Sequence, residues 1–437
     1  MKIWFALSAN LKIIFPGCQY HRGMVRNSGC LVFGRVFFPS VVVRENEFTM
    51  KNFVSFTRNS MTKYLFAITL LAVAGCRHYD DPPAPDPTPD PSARYTMPEE
   101  SQPHEGTWLQ WPHDNQYGAG FRDRMEPAWI EMTRHLQAGE RVHIVAYDDA
   151  EQAHIKAVLA EAGVPKNNIN YFNVPTNDFW MRDNGPIFVY DEQDQLRITD
   201  WGFNGWGFDA PFKKDNAVPE RLASLIGMPA IDLNAIVLEG GAIEVDGQGT
   251  LVATRSSVTH RSRNPRLSEK EMEAYLTTYL GITNFIWLDG TYGEEITDNH
   301  IDGVMKFIGN NTILTMNDDG LSYNGLSRSD ISKLYSATNA RGEAYRFDYL
   351  PMTANNVTTT QGKDLGYKGS YVNFYIANQV VLVPVYQDPN DRMALDIIQN
   401  HFPSRQVVGI DARDMYELGG MIHCVTQQQP EFRAPSK

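Results

Sequence analysis

Cysteine is scarce in this sequence. The chain has four cysteines among 437 residues, and three of them, Cys18, Cys30 and Cys76, lie in the first 76 positions. The rest of the chain therefore has one thiol, Cys424, which excludes a disulfide framework or a cysteine-based zinc site there. A single thiol is either inert packing or a reactive group. The cysteine count leaves both readings open.

Positive charge is also in short supply. The formal net charge is −13, and residues 1–60 carry eight Lys/Arg against two Glu, which leaves −19 for the remainder. A body this acidic repels phosphate backbones, so nucleic acid is not an expected partner. The charge suits a cationic small molecule or a basic peptide, although many acidic proteins are simply soluble.

The apolar run within residues 61–76 is about 12 residues long, too short to span a bilayer. It follows a basic start and ends in small residues before Cys76, as in a secretory signal peptide. The ending Val73-Ala-Gly-Cys76 resembles a bacterial lipobox and predicts lipidation of Cys76; a plain cleaved signal is the alternative. Residues 1–60 are then either an unusually long leader or a stretch upstream of the true start codon. In the second case Met50 or Met61 is the first residue.

The segment 77–92 alternates proline with other residues, mostly aspartate. Alternating proline forbids a helix and favours a stiff, extended spacer. We therefore expect an exported protein whose folded body, residues 93–437, is held off a bacterial envelope membrane by a lipid anchor. The body would lie on the periplasmic side or at the cell surface, and the lipid would be its only membrane contact.

The body repeats a hairpin, a helix and a strand. In the clearest repeat, the strand 242–245 and the strand 250–254 flank a Gly-rich turn, a helix opens at the capping box of Ser268, and the strand 284–288 follows. Three similar units start near residues 186, 304 and 371, and the strands 107–111 and 421–426 at the two ends would complete a fifth. Repeats of this kind indicate an α/β ring in a single domain, closed by pairing of the chain ends. An open mixed sheet is the alternative.

Several polar residues lie just before or within the first strand of these units. They are Asp183, Glu239, His300, Asp302 and Cys424. In a pseudo-symmetric ring, equivalent strand ends point at one centre, so we expect these side chains to share a pocket. Carboxylates bind the edges of a planar guanidinium, a thiolate above the plane can attack its carbon, and an imidazole can protonate the departing ammonia.

Each of these residues also has a structural reading. Asp183 could belong to a turn, Glu239 could mark a tight bend before two glycines, and His300 could be a satisfied core histidine. His300 and Asp302 also make half of a metal site, but nothing in the sequence completes it. His423 receives no role, because neighbours on a strand point to opposite faces.

The body resembles the agmatine deiminase and bacterial peptidylarginine deiminase family of the guanidine-modifying pentein superfamily. The similarity covers nearly all of residues 97–430 and lies in an ordered set of motifs. The motifs are Met97-Pro, His104-Glu-Gly-Thr-Trp-Leu-Gln-Trp-Pro112, Trp180-Met-Arg-Asp-Asn-Gly-Pro186, Phe203-Asn-Gly-Trp-Gly207, Leu238-Glu-Gly-Gly241, Asp246-Gly-Gln-Gly-Thr250, Arg263-Asn-Pro265, His300-Ile-Asp302, Tyr371-Val-Asn-Phe374 and Gly419-Gly-Met-Ile-His-Cys-Val-Thr-Gln-Gln428.

The resemblance implies a five-bladed propeller of ββαβ units and a deiminase catalytic domain at 93–437. It implies that Cys424 is the nucleophile, His300 the acid and base, Asp183 and Asp302 the guanidinium ligands, and Glu239 their support. It implies substrate contacts for three further residues, and neither metal nor cofactor. Those three residues are Trp180, Arg182 and Asn373.

The substrate implied is agmatine, converted to N-carbamoylputrescine as in putrescine biosynthesis. A peptidylarginine, converted to citrulline, is the alternative, as is free arginine. Two positions depart from the family pattern: Ser101 stands where a tryptophan is usual, and Asn299 where glycine is usual before the histidine. An amidinotransferase, a Cys-His amide hydrolase and a non-enzymatic tethered binding protein are the other classes considered. The sequence makes no prediction of the oligomeric state.

Overall fold

The computed structural model describes residues 89–90 and 92–433, all within one compact unit. The predicted leader (1–60), signal peptide (61–76) and lipidated Cys76 lie outside the described residues, as does most of the linker. The strands are β1 (Tyr95–Thr96), β2 (His104–Gln110), β3 (Arg141–Ala146), β4 (Ile169–Asn173), β5 (Ile187–Asp191), β6 (Leu196–Gly202), β7 (Ala230–Val237), β8 (Ile243–Val245), β9 (Thr250–Thr254), β10 (Asn284–Leu288), β11 (Met305–Phe307), β12 (Thr312–Met316), β13 (Arg346–Leu350), β14 (Met352–Thr358), β15 (Asp364–Ser370), β16 (Tyr375–Ile376), β17 (Val380–Val385), β18 (Gln406–Asp411) and β19 (Thr426–Pro430).

The α-helices alternate with these strands, so the described part of the chain is an α/β protein, as predicted. The α-helices are Asp114–Tyr117, Ala119–Leu136, Asp149–Glu161, Met181–Asn184, Gly205–Phe208, Val218–Ile226, Arg255–Val258, Glu269–Leu280, Asp318–Tyr323, Arg328–Tyr335, Asp391–His401 and Arg413–Tyr416. None of the helices among the described residues combines the length and the apolar character needed to cross a bilayer.

The segment that runs from β8 to β10 shows how one unit is built. β8 and β9 pair antiparallel. The following helix starts at a capping box, in which the Ser268 side chain accepts from the Glu271 N–H and the Glu271 carboxylate accepts from the Ser268 N–H at 2.7 Å. The helix ends at Gly281, whose φ of 76° suits glycine. β10 then runs parallel to β9. The predicted bounds of β9 and β10 are confirmed.

Four other sheets repeat this order of an antiparallel pair followed by a parallel strand. Their strand orders are β1-β5-β6-β7, β11-β12-β13, β16-β17-β18 and β19-β2-β3-β4. In the β16-β17-β18 sheet, five of the six residues of β17 are buried, which fits its run of apolar side chains. The closed, pseudo-symmetric arrangement of the five sheets stays a prediction at this point.

The two ends of the folded body pair with each other. β19 runs antiparallel to β2, with Thr426 opposite Leu109 and Gln428 opposite Thr107. This confirms the predicted pairing of the two ends of the folded body. The pairing gives hydrogen-bond partners to backbone N–H and C=O groups that would otherwise be exposed at a sheet edge.

The predicted terminal strand 421–426 is wrong. A short 3₁₀ helix, His423–Val425, occupies that segment, and the strand begins only at Thr426. The turn before it contains Gly419, whose φ of 94° is left-handed and breaks an extended path. Cys424 therefore lies on a turn that enters a strand.

The sequence analysis did not predict the hairpin β14–β15. Its strands contain many polar, exposed residues, so they lack the apolar alternation by which the other strands were recognised. The largest buried side chains of the described residues include Trp108, Trp111 and Trp129. Their burial places much of the core around β2 and the helix Ala119–Leu136.

Candidate active site

The thiol of Cys424 lies in the turn that leads into β19 and is partly buried. Its Sγ is 3.5 Å from Asn373 Oδ1 and 3.8 Å from Asp302 Oδ2. Gly420, four residues earlier, lets the turn pass the ring of Trp180, because a Cβ there would lie 2.1 Å from a ring carbon. The double glycine of the motif thus allows the chain to place the thiol beside a carboxylate and an amide.

Asp183, His300 and Asp302 surround the Cα of Gly241. A Cβ on this glycine would lie 2.7 Å from Asp183 Oδ1, 2.7 Å from His300 Nδ1 and 3.0 Å from Asp302 Oδ2. His300 Nδ1 is 3.7 Å from Asp183 Oδ1. The structure therefore brings the two predicted guanidinium ligands and the predicted acid together, and Asp302 connects them to the thiol.

Glu239 orients His300, as the sequence analysis predicted. The Nε2 of His300 donates to Glu239 Oε2 at 2.8 Å, which leaves Nδ1 facing Asp183. Burial by itself lowers the pKa of His300, but the charges of Asp183, Glu239 and Asp302 outweigh it and raise the pKa to about 9. His300 is therefore an imidazolium at neutral pH and can give up a proton.

Glu239 is in turn held by a residue to which the sequence analysis gave no role. Arg263 Nε donates to Glu239 Oε1 at 2.7 Å, and its Nη1 binds Asp298. The side chain of Arg263 is fully buried. Burial raises the pKa of Glu239, but the charge of Arg263 and the hydrogen bond of His300 outweigh it and hold the pKa below its usual range. The only signal in the sequence was the Arg263-Asn-Pro265 motif.

Asp183 is held by Trp206 and by the backbone of Gly241. Trp206 Nε1 donates to Asp183 Oδ2 at 2.9 Å, and the Gly241 N–H donates to Oδ1 at 3.1 Å. Trp206 has a φ of 55°, within four consecutive left-handed residues, 205–208. Such a backbone costs about 1–3 kcal/mol for a bulky residue. Burial raises the pKa of Asp183 to about 6, so Asp183 is ionised at neutral pH.

The thiol is protonated in the free site. Burial and the charges of Asp302 and Asp183 raise the pKa of Cys424 well above its ordinary value. Burial raises the pKa of Asp302 too, but the hydrogen bond and charge of His423 outweigh it and hold that pKa below its usual range. The site thus contains ionised carboxylates next to a thiol that needs a nearby cation to ionise.

The three remaining predicted residues lie near this cluster in different ways. Asn373 is fully buried, and its Oδ1 lies beside Cys424 and accepts from the His423 N–H at 3.0 Å. Trp180 is buried against the turn at Gly420. The Arg182 guanidinium donates to Gln428, Glu100 and the His423 carbonyl, and its contact with the substrate stays a prediction.

His423 was set aside in the sequence analysis because its neighbours were expected to form a strand. In the 3₁₀ turn that replaces this strand, the His423 ring lies between Asp302 and Glu100, 2.8 Å and 2.7 Å away. Its interaction with Asp302 could not be read from alternation along the chain. Glu100 was not recognised either, since only its position two residues after the Met97-Pro motif distinguished it.

The Asn299 departure has a backbone explanation. Asn299 has a φ of 70° and follows Asp298 at 60°. Glycine adopts this left-handed region freely, and asparagine is the side chain that tolerates it best. The substitution therefore preserves the turn that presents His300.

A group of metal-ligand atoms occurs elsewhere in the described residues, where Asp123, Glu126 and His154 approach within 4.8 Å of one another. Glu126 Oε1 already accepts from Trp111 Nε1 at 2.8 Å and lies 2.7 Å from His154 Nε2. These hydrogen bonds account for the grouping without an ion.

Comparisons with known proteins extend along the whole folded body. The sequence model of the Porphyromonas-type peptidyl-arginine deiminases matches residues 96–430. An agmatine deiminase of Pseudomonas aeruginosa (strain LESB58) is 33% identical over 373 residues, 80% of this chain and 99% of its own. The solved agmatine deiminase of Enterococcus faecalis superposes with a TM-score of 0.68 at 29% identity, covering 78% of this chain and 96% of its own. A substrate-bound agmatine deiminase of C. jejuni shares the fold. It superposes with a TM-score of 0.66 at 22% identity, covering 80% of this chain and all of its own.

Proposed function

We propose that this chain hydrolyses agmatine to N-carbamoylputrescine and ammonia. The premise is that the chain belongs to the Porphyromonas-type peptidyl-arginine deiminase family. The chain is a guanidine deiminase, a hydrolase of the C–N bonds of linear amidines.

One observation carries the chemistry: Asp183 and Asp302 both border the space that the missing Cβ of Gly241 leaves, at 2.7 Å and 3.0 Å from where that atom would lie. Ionised carboxylates on two edges of a guanidinium form charge-assisted hydrogen bonds and fix its plane. The His300 imidazolium borders the same space, and the Cys424 thiol lies next to Asp302. A flat cation held there meets both a nucleophile and an acid.

The bound cation also activates the nucleophile. The charges of Asp302 and Asp183 contribute to the raised pKa of Cys424. A guanidinium placed between them offsets these charges and adds a positive charge beside the sulfur, so the thiolate becomes more favourable once substrate is bound. The free enzyme keeps an unreactive thiol.

The reaction then proceeds in two halves. The Cys424 thiolate forms a C–S bond to the guanidinium carbon, a terminal C–N bond breaks, and His300 gives its proton to the departing ammonia. His300, now neutral, takes a proton from water. The resulting hydroxide equivalent forms a C–O bond and the C–S bond breaks. The remaining hydroxyl proton of the adduct passes to solvent, where ammonia takes it up as ammonium, and a urea leaves with Cys424 again a thiolate.

Agmatine is the substrate we favour because curated relatives that match almost their whole length carry that name. The acidic body agrees with a substrate that carries two positive charges. A peptidylarginine is the alternative, since the matching family model carries that description. A tethered binding protein without catalysis would need neither the thiol nor His300.

The experiment is to measure ammonia release from agmatine, free arginine and an arginine peptide in parallel, with Cys424→Ala as the control. Agmatine is expected to give the highest kcat/KM, and the variant no release. Release by Cys424→Ala would end the nucleophile assignment, and an inactive wild type that binds agmatine would favour the binding protein. In wild-type enzyme quenched during turnover of agmatine, mass spectrometry should find Cys424 carrying the mass of agmatine less ammonia.

We further propose that the five sheets form a closed five-bladed propeller around this site. In support, the site residues precede the first strands of five different sheets. They are Asp183 before β5, Glu239 before β8, His300 and Asp302 before β11, Asn373 before β16 and Cys424 before β19. Pseudo-equivalent positions of this kind meet at one centre only when the sheets surround it.

Export and lipid anchoring at Cys76 are likewise proposed, on the basis of the signal pattern at residues 61–76. Feeding bacteria that express the full chain with a labelled fatty acid should label the protein and locate it in the membrane fraction. Cys76→Ala should abolish the label. Labelling that persists in this variant, or wild-type protein found unlabelled in the cytoplasm, would contradict the proposal.

A further inference from the structure

A buried network of charges lies behind Asp302, and no step of the reaction uses it. His423 is at its centre, with Nδ1 2.8 Å from Asp302 Oδ2 and Nε2 2.7 Å from Glu100 Oε2. Burial raises the pKa of Glu100, but Lys306, His423 and Arg182 outweigh it and hold the pKa well below its usual range. The neighbouring carboxylates on the two sides of the ring are therefore ionised and can only accept. Each ring nitrogen of His423 thus lies within hydrogen-bond distance of a carboxylate oxygen.

Glu100 is itself fixed in place. Its Oε1 accepts from the Ile376 N–H at 2.8 Å, and its Oε2 lies 3.4 Å from both Lys306 Nζ and Arg182 Nη2. Lys306 is fully buried and binds Glu244 Oε1 at 2.8 Å. Within the network, three carboxylates face His423, Lys306 and Arg182. Its members are Glu100, Glu244, Asp302, His423, Lys306 and Arg182.

His423 also positions the nucleophile. Its backbone N–H donates to Asn373 Oδ1 at 3.0 Å, and that same oxygen lies 3.5 Å from the sulfur of the next residue, Cys424. One residue thus contacts both the carboxylate that would bind the substrate and the amide beside the thiol. Burying an ion network gives a protein no more stability than apolar packing of the same volume, so stability alone does not account for it.

We propose that Glu100 and His423 are positioning residues of the active site: Glu100 fixes the His423 ring through Nε2, and Nδ1 of this ring aims the Asp302 carboxylate at the guanidinium. The inference rests on the proposed function, since it names residues that prepare the same site. Neither residue is assigned a contact with the substrate. Their effect on binding passes through Asp302.

The test compares two buried glutamates of the same network by replacing each with its uncharged isostere. Glu100→Gln keeps an acceptor for the Ile376 N–H but removes the charge that faces His423. Glu244→Gln is the matched control, because Glu244 pairs with Lys306 at the other end of the network and has no hydrogen bond to His423. Titration calorimetry of agmatine, in a Cys424→Ala background that cannot turn over, measures binding, and KM and kcat are measured separately with Cys424 intact.

Glu100→Gln is expected to weaken agmatine binding and raise KM at least tenfold, with a smaller effect on kcat. Glu244→Gln should lower the melting temperature about as much as Glu100→Gln does. It should nevertheless leave the agmatine Kd within about twofold of the Kd of the Cys424→Ala background. Equal losses of affinity in the two variants would show that the network acts only through stability. An unchanged Kd in Glu100→Gln would also overturn the proposal.

A second pair tests His423 directly. His423→Asn retains an N–H donor near the position of Nδ1, whereas His423→Leu has none, so the asparagine variant should recover most of the affinity that the leucine variant loses. Equal affinities would refute positioning through Asp302. If the leucine variant does not fold, Glu100→Gln decides alone.

Wild-type enzyme that binds agmatine but releases no ammonia would refute the proposed reaction while the binding data still decide the positioning role. An absence of binding would refute both.

Discussion

Gly241→Ala is the most informative single substitution, because it adds one methyl group against the two carboxylates proposed to bind the guanidinium. The new carbon would lie 2.7 Å from Asp183 Oδ1 and His300 Nδ1, where ordinary contacts begin near 3.4 Å. Each of these groups would have to retreat by about 0.7 Å. Asp302 Oδ2, at 3.0 Å, would need to move by less.

These displacements allow the size of the effect to be estimated. A misplacement of about 1 Å at a reacting group lowers a rate on the order of 10²-fold, which corresponds to about 2.7 kcal/mol of transition-state stabilisation. Overpacking a buried position costs about 1–3 kcal/mol of folding free energy. We therefore expect Gly241→Ala to remain folded and to lose at least ~10²-fold in kcat/KM.

The assay is ammonia release from agmatine, together with denaturant unfolding of the same preparations. Gly303→Ala is the matched control, because a Cβ there meets no heavy atom within 4 Å although it follows Asp302 directly. This control should stay within about twofold of wild type. A folded Gly241→Ala enzyme with near wild-type kcat/KM would refute the placement of the substrate between Asp183 and Asp302.

Three further outcomes follow from the charges of the site. The kcat/KM for ammonia release from agmatine should decline as pH falls below about 6, where Asp183 gains a proton and becomes neutral. It should also decline as pH rises above about 9, where His300 loses its proton. A profile without this alkaline decline would contradict His300 as the acid. Trp206→Phe removes a hydrogen bond that lowers the pKa of Asp183, so the acidic limb of that profile should move to higher pH, and a shift to lower pH would disprove this role. Arg263→Met leaves Glu239 as a buried carboxylate without its cation, so denaturant unfolding should show a loss of about 3–5 kcal/mol, and a loss under 1 kcal/mol would be inconsistent with the buried pair.

Residues that bear the chemistry could be identified from the sequence because their type and setting are unusual. Cys424 is the only cysteine after residue 76, and Asp183, His300 and Asp302 stand beside glycines or strand starts in an ordered set of motifs. The repeated hairpins then predicted that such positions meet. The structure brings these side chains together around Gly241, and their catalytic roles await the assays above.

The supporting residues could not be identified in the same way. Glu100 and Glu99 are adjacent glutamates, and nothing local indicates that Glu100 contacts His423, which is 323 residues away. Lys306 occupies an ordinary strand position, yet it is fully buried among carboxylates. Partners of this kind depend on contacts between distant segments, and a charge is tolerated in the interior only when those contacts supply its counter-charge.

Most of the elements and the chemistry available to the site could be predicted from local sequence, apart from the hairpin β14–β15 and the terminal strand. Local signals such as the capping box at Ser268 act within a few residues, so they set where a helix begins wherever that segment lies. The tertiary structure alone decided which charges face each other. It turned the segment around Cys424 into a 3₁₀ turn, paired Arg182 with Gln428 and placed His423 between two carboxylates. Electrostatic interactions depend on distance through space and on exclusion of water, and neither quantity is encoded by position along the chain.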